Sequence, residues 1–400
     1  TDDKGFLCGK ILVDLGDTRP KSARRGADTS RNIGPFYHDV PDPEKSLYWF
    51  AYNAGKKGIT LNIETPSGEK IFKELVKGSD FVIESFPPGY MDKLGLGYPA
   101  LSEINPRIII TSITPFGDNG PYRDYKVSDF VIYAGCSGLV FVTGDANNAP
   151  VTLSAPQAYL HAGAQAAVGT MIAHYSCLVT GKGQRVSVSV QASISDCHPV
   201  GRQLWEFLKQ IWPRESRLRL GRGVFFRIVW PCRDGYVVFR ILTGAIRAAK
   251  RMYSLVDCMR EEGLAGDLVN VEWERIDVLK ITQEEVDHME ELIGQFFLQH
   301  TKEELFDKAM KRGFMFLFPV NTPADIVKDA QLLARNQFVQ IEHPELGISL
   351  TYPGSFCKLT ASLVGTRHRA PLIGEHNVEV YGDLGYSKQE LISLKQANII

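Results

Sequence analysis

Short β-branched runs alternate with helix-forming stretches through the first half of this chain. Ile59–Ile63 is apolar and β-branched, and Pro66 opens a helix-like stretch that runs to Lys77 and is closed by Gly78. Asp80–Glu84 reads as the next strand, Tyr98–Ile104 as a short helix and Arg107–Ile113 as a third strand. Linkers this short between alternating elements predict a parallel sheet with helices packed on it, an α/β fold. Leu139–Thr143 reads as a further strand. Ser154 is a good N-cap, and Pro156 sits in the first turn of the Ala- and Gly-rich helix that follows. After the turn at Gly181–Gln184, Arg185–Val190 alternates polar and apolar residues, as a half-buried strand does.

The second half changes character. Arg214, Arg217, Arg219 and Arg222 form a basic cluster that reads as a solvated face. Asp234–Leu242 reads as a strand, and Glu261 to Lys311 is charged and helical. Pro319, Pro323 and Pro344 punctuate a return segment. The predicted organisation is a large domain over 1–200, a small α+β domain over 222–325, and 326–400 completing the large domain.

Composition excludes some functions. The 45 basic and 46 acidic side chains give a net charge of −1, whereas nucleic-acid binders carry a basic excess. The longest small-apolar run, Ala155–Val179, is broken by Gln157, His161, Gln165 and His174, which suits a buried helix of a soluble protein and not a membrane span. Thr1–Lys10 is charged and does not read as a signal peptide. Seven scattered cysteines without a CxxC pair suggest reduced thiols in a cytoplasm and no metal site. Cys197 and His198 are adjacent, and adjacent side chains seldom point the same way, so they are not expected to act as a nucleophile and its base.

Several segments, in order and spacing, resemble the class III CoA-transferases, the family of formyl-CoA transferase, carnitine CoA-transferase and α-methylacyl-CoA racemase. Asn53-Ala-Gly-Lys-Lys-Gly-Ile-Thr-Leu-Asn62 is similar to the family's N-x-x-K-(R/K)-x-(I/V)-x-L-(D/N) strand, and Thr65-Pro-Ser-Gly68 follows it. Ser79–Phe86, Gly89–Gly95, Asn105–Ile110, Phe116–Pro121, Thr180–Gln184, Ile373–Asn377 and Leu384–Ser387 match later family segments. The resemblance implies a Rossmann-like large domain built from both chain ends, a small domain, and two chains interlocked like linked rings.

It also implies a substrate, coenzyme A or an acyl-CoA, whose phosphates need cations and backbone donors. By resemblance Arg31, Lys56, Lys57 and Lys93 face the nucleotide. Phe86 packs near the adenine or its linker, and Asn53 and Ser85 offer hydrogen bonds. Leu12-Val-Asp-Leu-Gly16 resembles the family's L-A-D-x-G, but the apolar strand that follows in the family is replaced by the polar, basic Asp17–Arg25. Adenine recognition is therefore expected to differ at this edge.

In this family an aspartate attacks the acyl-CoA thioester, forms a mixed anhydride and then carries CoA as an aspartyl thioester. It lies four residues before a glycine near the start of the helix that leads to T-G-K-G-Q. Counted back from Thr180–Gln184, the glycine is Gly163 and the nucleophile position is Tyr159. No Asp or Glu occurs from 146 to 195. A phenol, with a pKa of about 10, does not replace a carboxylate in anhydride chemistry. The glycine-rich loop that shields the family's intermediates is expected near 220–230, where Gly221–Arg227 stands. The racemase branch has a His before an Asp where this chain has Ser128 before Asp129. His161 reads as a packed, hydrogen-bonded histidine.

Three functions follow as expectations. The first is a subunit of a heteromeric CoA-transferase whose homologous partner supplies the aspartate. This resembles the aspartate-lacking subunits of benzylsuccinate CoA-transferases, which implies succinyl-CoA and an aromatic succinate. The second is a homodimeric transferase with a relocated carboxylate, Asp129. The third is a non-catalytic CoA-ester-binding protein.

Overall fold

The computed structural model describes residues 3–16, 21–23, 28–145, 147–212, 214, 217–220, 224–243, 246–314 and 316–400, with 21–23 and 217–220 described by backbone alone. Two compact units result: Thr1–Leu139 with Leu153–Lys209 and Ala330–Ile400, and Val140–Thr152 with Gln210–Asp329.

The first unit is mixed α/β. Its opening segment, charged as read from sequence, is helix α1 (Asp3–Asp14), which buries Phe6, Cys8 and Leu12. Strand β1 (Lys21–Ala23) pairs in parallel with β2 (Lys57–Ile59). Between them Ser46 Oγ accepts from Trp49 N and caps α2 (Leu47–Asn53). Helix α3 (Pro66–Lys77) keeps its predicted span because Thr65 caps it and Gly78 ends it. Then come β3 (Phe81–Glu84), α4 (Tyr90–Lys93), α5 (Tyr98–Ile104) and β4 (Ile109–Thr114). Helices α6 (Asp129–Cys136) and α8 (Ala158–Thr180) precede β5 (Arg185–Ser189), α9 (Val190–Ser195) and α10 (Pro199–Leu208), while α7 (Leu139–Val142) falls almost wholly in the second unit. Strands β3, β4 and β5 form a parallel sheet with β4 in the centre, and all six β4 residues are buried, as a strand covered on both faces requires.

Helix α8 lies against this sheet and against α1. Thr170 on α8 shares a 2.6 Å hydroxyl contact with Thr111 on β4. A Cβ added at Gly163 would stand 2.9 Å from Leu7 Cβ and 3.1 Å from Cys8 N, so only glycine allows this approach. The chain end completes the unit with α15 (Ala330–Ala334), the antiparallel hairpin of β11 (Phe338–His343) and β12 (Ile348–Pro353), α16 (Asn377–Asp383) and α17 (Lys388–Gln396). Asn377 Oδ1 accepts from Thr60 N at 2.9 Å, and Tyr381 donates to Thr60 O at 2.5 Å, so residues more than 300 positions apart fix the end of β2.

The second unit holds the hairpin of β6 (Arg217–Leu220) and β7 (Val224–Arg227) and an antiparallel sheet of β8 (Val229–Cys232), β9 (Gly235–Val238) and β10 (Phe318–Pro319). Helices α11 (Ile246–Glu261), α12 (Gln283–Leu298), α13 (Lys302–Arg312) and α14 (Pro323–Ile326) accompany them. Thr282–Glu285 and Thr301–Glu304 form capping boxes at the starts of α12 and α13. Trp230, Trp273, Phe296 and Phe297 anchor the core.

Several local expectations are corrected. Leu139–Thr143 is a helical turn, not a strand. Helix α8 starts at Ala158 and is not capped by Ser154; its first backbone N–H groups donate instead to the Asp129 carboxylate on α6. The strand expected over Ile59–Ile63 is the shorter Lys57–Ile59, and Asp234–Leu242 shrinks to Gly235–Val238. Arg214 is not simply solvated: it donates to Asp145 O at 2.9 Å and Asn148 O at 2.7 Å. Arg222, Gly221 and Gly223, with 17–20 and 24–27, lie outside the described residues.

Candidate active site

The sequence-predicted binding residues fall into two groups. Ser85 and Phe86 follow β3 at its carboxyl end, where open parallel sheets bind their ligands. Phe86 N donates to Glu84 Oε2 at 2.7 Å, and burial pushes the Glu84 carboxyl up. The Phe86 ring stacks on Tyr90 with centroids 4.7 Å apart. Tyr90 donates to Glu64 Oε1 at 2.6 Å, which ties the chain beyond β2 to the same cluster. Lys93, at the end of α4, is exposed, and its ammonium has no hydrogen bond or ion pair among the described residues. Stacking Phe86 and Tyr90 beside a free cation and the backbone after β3 suits a flat heterocycle with phosphates attached.

The other group lies at the amino end of β2, whose first residue, Lys57, is separated from Glu64 by roughly 23 Å of extended chain. Lys56 is 8% exposed, and its ammonium donates to Phe6 O at 3.0 Å and Asn53 Oδ1 at 2.9 Å, both neutral. Burial pushes it down to about 7. The nearby Cys8 thiol is pushed up to about 12 by the same burial. Among the described residues, buried Asn53 Nδ2 has no hydrogen-bond partner. Lys57 pairs with Glu379 and lines a cavity of about 750 Å³ with Lys56, Arg367, Arg369 and His376. Arg31 is spoken for: it donates to Glu44 at 2.6 Å and Pro371 O at 2.7 Å, and its guanidinium lies 3.8 Å from the Trp49 ring centre. A cation held by a carboxylate, a carbonyl and an indole is a structural clamp between chain ends.

Residue 159 stands in the first turn of α8. Its backbone N donates to Asp129 Oδ2 at 2.7 Å, and its buried phenol reaches Val127 O at 3.3 Å. Asp129 Oδ1 accepts from Gln157 N at 3.0 Å, so both carboxylate oxygens are engaged in capping α8. That is a structural duty with a sequence cause, because Ser154 is too far upstream to cap. Ser128 occupies the N-cap position of α6. His161, expected to be packed, is exposed on α8, and its Nδ1 lies 3.3 Å from Cys197 Sγ. Sequence reasoning missed Glu64, Tyr90 and the Arg367–Arg369 basic run; only the last carried a visible signal.

A family model described as CoA-transferase family III matches residues 4–377. This chain belongs to CoA-transferase family III. The succinyl-CoA:(R)-benzylsuccinate CoA-transferase subunit BbsE of Thauera aromatica is 31% identical, covering 98% of this chain and 94% of that protein. The formyl-CoA:oxalate CoA-transferase of Streptomyces avermitilis is 32% identical over 90% and 88% of the two chains. The succinyl-CoA–L-malate CoA-transferase beta subunit of Chloroflexus aurantiacus is 27% identical over 98% and 94%. The solved structure of a CAIB/BAIF family protein from Brucella suis shares the fold with a TM-score of 0.81, at 24% identity and 95% coverage of each chain. Among the described residues, no helix of this family member is long and apolar enough to cross a membrane.

Proposed function

We propose that the chain is a subunit of a heteromeric class III CoA-transferase that moves CoA between carboxylic acids, with the nucleophilic aspartate supplied by a homologous partner. The observation that carries this reading is Tyr159: a buried phenol, bonded to a backbone carbonyl, in the turn where the family places its aspartate. Asp129, the nearest alternative, has both oxygens engaged by backbone donors. The CoA ester binds at the carboxyl end of β3, with Ser85 and Phe86 at the nucleotide and Lys93 as phosphate partner. Lys56, Lys57, Asn53 and Arg31 support that cleft from the amino end of β2 and from the clamp on Trp49.

A partner surface is present on α8. Val168, Met171, Ile172, Tyr175, Leu178 and Val179 are exposed at helical spacing and form one apolar stripe. Two of the relatives are named as subunits, which favours a second homologous chain on that stripe. The benzylsuccinate relative favours succinyl-CoA as donor and an aromatic succinate as acceptor.

CoA exchange between succinyl-CoA and labelled succinate, followed by mass spectrometry, tests the reading. The chain alone should bind the ester and exchange nothing; an added aspartate-bearing homologue should restore exchange. Exchange by the chain alone would sink the proposal, and trapping the thioester would show whether Asp129 carries it. Binding with no exchange beside any homologous chain would favour a CoA-ester-binding protein instead.

A further inference from the structure

Cys197 sits beside His198 in sequence, but the fold gives its thiol a different imidazole. Cys197 Sγ lies 3.3 Å from Nδ1 of His161, 36 residues earlier. His161 stands in the first turn of α8, two residues beyond Tyr159, and Cys197 follows α9 closely. The imidazole is exposed and the thiol half-buried, so both are open to a small reagent. The sulfur also makes a long contact, 3.8 Å, to Ser193 O. Among the described residues the His161 ring has no second partner, which leaves Nδ1 directed at sulfur on an otherwise open ring.

Burial, and then the neighbouring Asp196 carboxylate, hold this thiol above its ordinary range. A thiol in that setting reacts only if a base removes its proton during attack, and a neutral imidazole within hydrogen-bond reach is that base. The other cysteines lack it. Cys8, Cys177, Cys232 and Cys258 are buried; Cys136 and Cys357 are half-buried with no imidazole in contact among the described residues.

We propose that Cys197, with His161 as its general base, accepts an acyl group from an acyl thioester. As Sγ attacks the thioester carbonyl, its proton passes to His161 Nδ1. The bond from the acyl carbon to the donor sulfur breaks, and the departing thiolate takes the proton from the imidazolium. An S-acyl cysteine and a free donor thiol result. One thioester replaces another, so no oxidant or activating reagent is required. The acyl donor, a CoA ester, is taken from the function proposed above, and the dyad itself rests on geometry alone.

The chain is incubated with succinyl-CoA and, separately, with the succinyl thioester of N-acetylcysteamine, which has no nucleotide. Peptide mass spectrometry then reads hydroxylamine-labile succinyl groups at each cysteine. The adduct should concentrate at Cys197, vanish in Cys197→Ser and form roughly a hundredfold more slowly in His161→Gln. Iodoacetamide at strongly alkaline pH, where the thiolate needs no base, should label Cys197 equally in wild type and His161→Gln, which shows that the variant keeps the site. Adducts spread evenly over Cys136, Cys197 and Cys357, or a rate untouched by His161→Gln, would overturn the inference. Acylation by the small thioester but not by succinyl-CoA would uphold the dyad and remove the CoA reading.

Discussion

The two compact units are held together by different means. The second is closed largely over carbon: Trp230, Trp273, Phe296 and Phe297 are all fully buried, and Trp230 meets Phe297 edge to face with centroids 5.4 Å apart, with Glu290 and His300 the buried polar exceptions. The first buries Lys10, Asp14, Asp28, Arg31, Asn53, Lys56, Glu84 and Ser85. Burying charge costs free energy unless it is paired, and pairing with neutral groups compensates only in part. So the second unit buries few such groups, and the first carries many whose burial needs a reason. For Arg31 the reason is structural. For Lys56, whose hydrogen-bond acceptors among the described residues are neutral, packing alone supplies none.

The largest expected effect breaks the contrast from the apolar side. Trp230→Ala removes an indole that also donates to Phe239 O at 2.8 Å. The cost should be about 3–5 kcal/mol. Hydrogen exchange read by mass spectrometry should then speed up across α12 and leave β4 protected. Equal acceleration in β4 would mean that the two units unfold as one body.

A smaller effect sharpens the contrast from the polar side. The folded Lys56 titrates at about 7 against an ordinary 10.5, so between those values the unfolded chain holds one proton more and stability rises with pH. Cys8, raised to about 12 from an ordinary 9, works the other way above pH 9. The clean window is therefore pH 7 to 9. Across it the first unit should gain roughly 2 kcal/mol, at no more than about 1.4 kcal/mol per pH unit. Lys56→Met should flatten that rise and be at least as stable as wild type at pH 7. Urea unfolding at pH 7, 8 and 9 for both proteins checks it; a parallel rise in the variant would place the charged group elsewhere.

What could be read from the sequence follows the same division. Helices α3 and α5 were legible to the residue because Thr65, Gly78 and Asn105 are local stop and start signals. The parallel sheet was legible from β-branched runs between short linkers, and the family from the order of its segments. The capping of α8 by Asp129 was not legible, because the donor groups and their acceptor are 28 and 30 residues apart. The same limit hid the Cys197–His161 contact and the Glu64–Tyr90 bond. Sequence matching grouped Arg31, Asn53, Lys56 and Lys57 with Ser85, Phe86 and Lys93 because all align with one ligand's neighbourhood. Pairing partners decide between clamp and contact, and two of them, Pro371 for Arg31 and Glu379 for Lys57, come from the far end of the chain.

The smallest expected effect tests that division at the ligand. Phe86→Ala should weaken CoA-ester binding by about tenfold, since it removes one face of the Phe86–Tyr90 stack. Lys93→Ala should weaken it only about threefold, because an exposed cation acts through screened solvent. Titration calorimetry with CoA at low and high salt separates the two. The Lys93 deficit should shrink as salt rises, and the Phe86 deficit should persist. If instead Lys57→Ala proves the more damaging change, the cavity at the amino end of β2 holds the nucleotide. The charged burial in the first unit would then be a binding site turned inward, and the carboxyl end of β3 would be left to the acyl group.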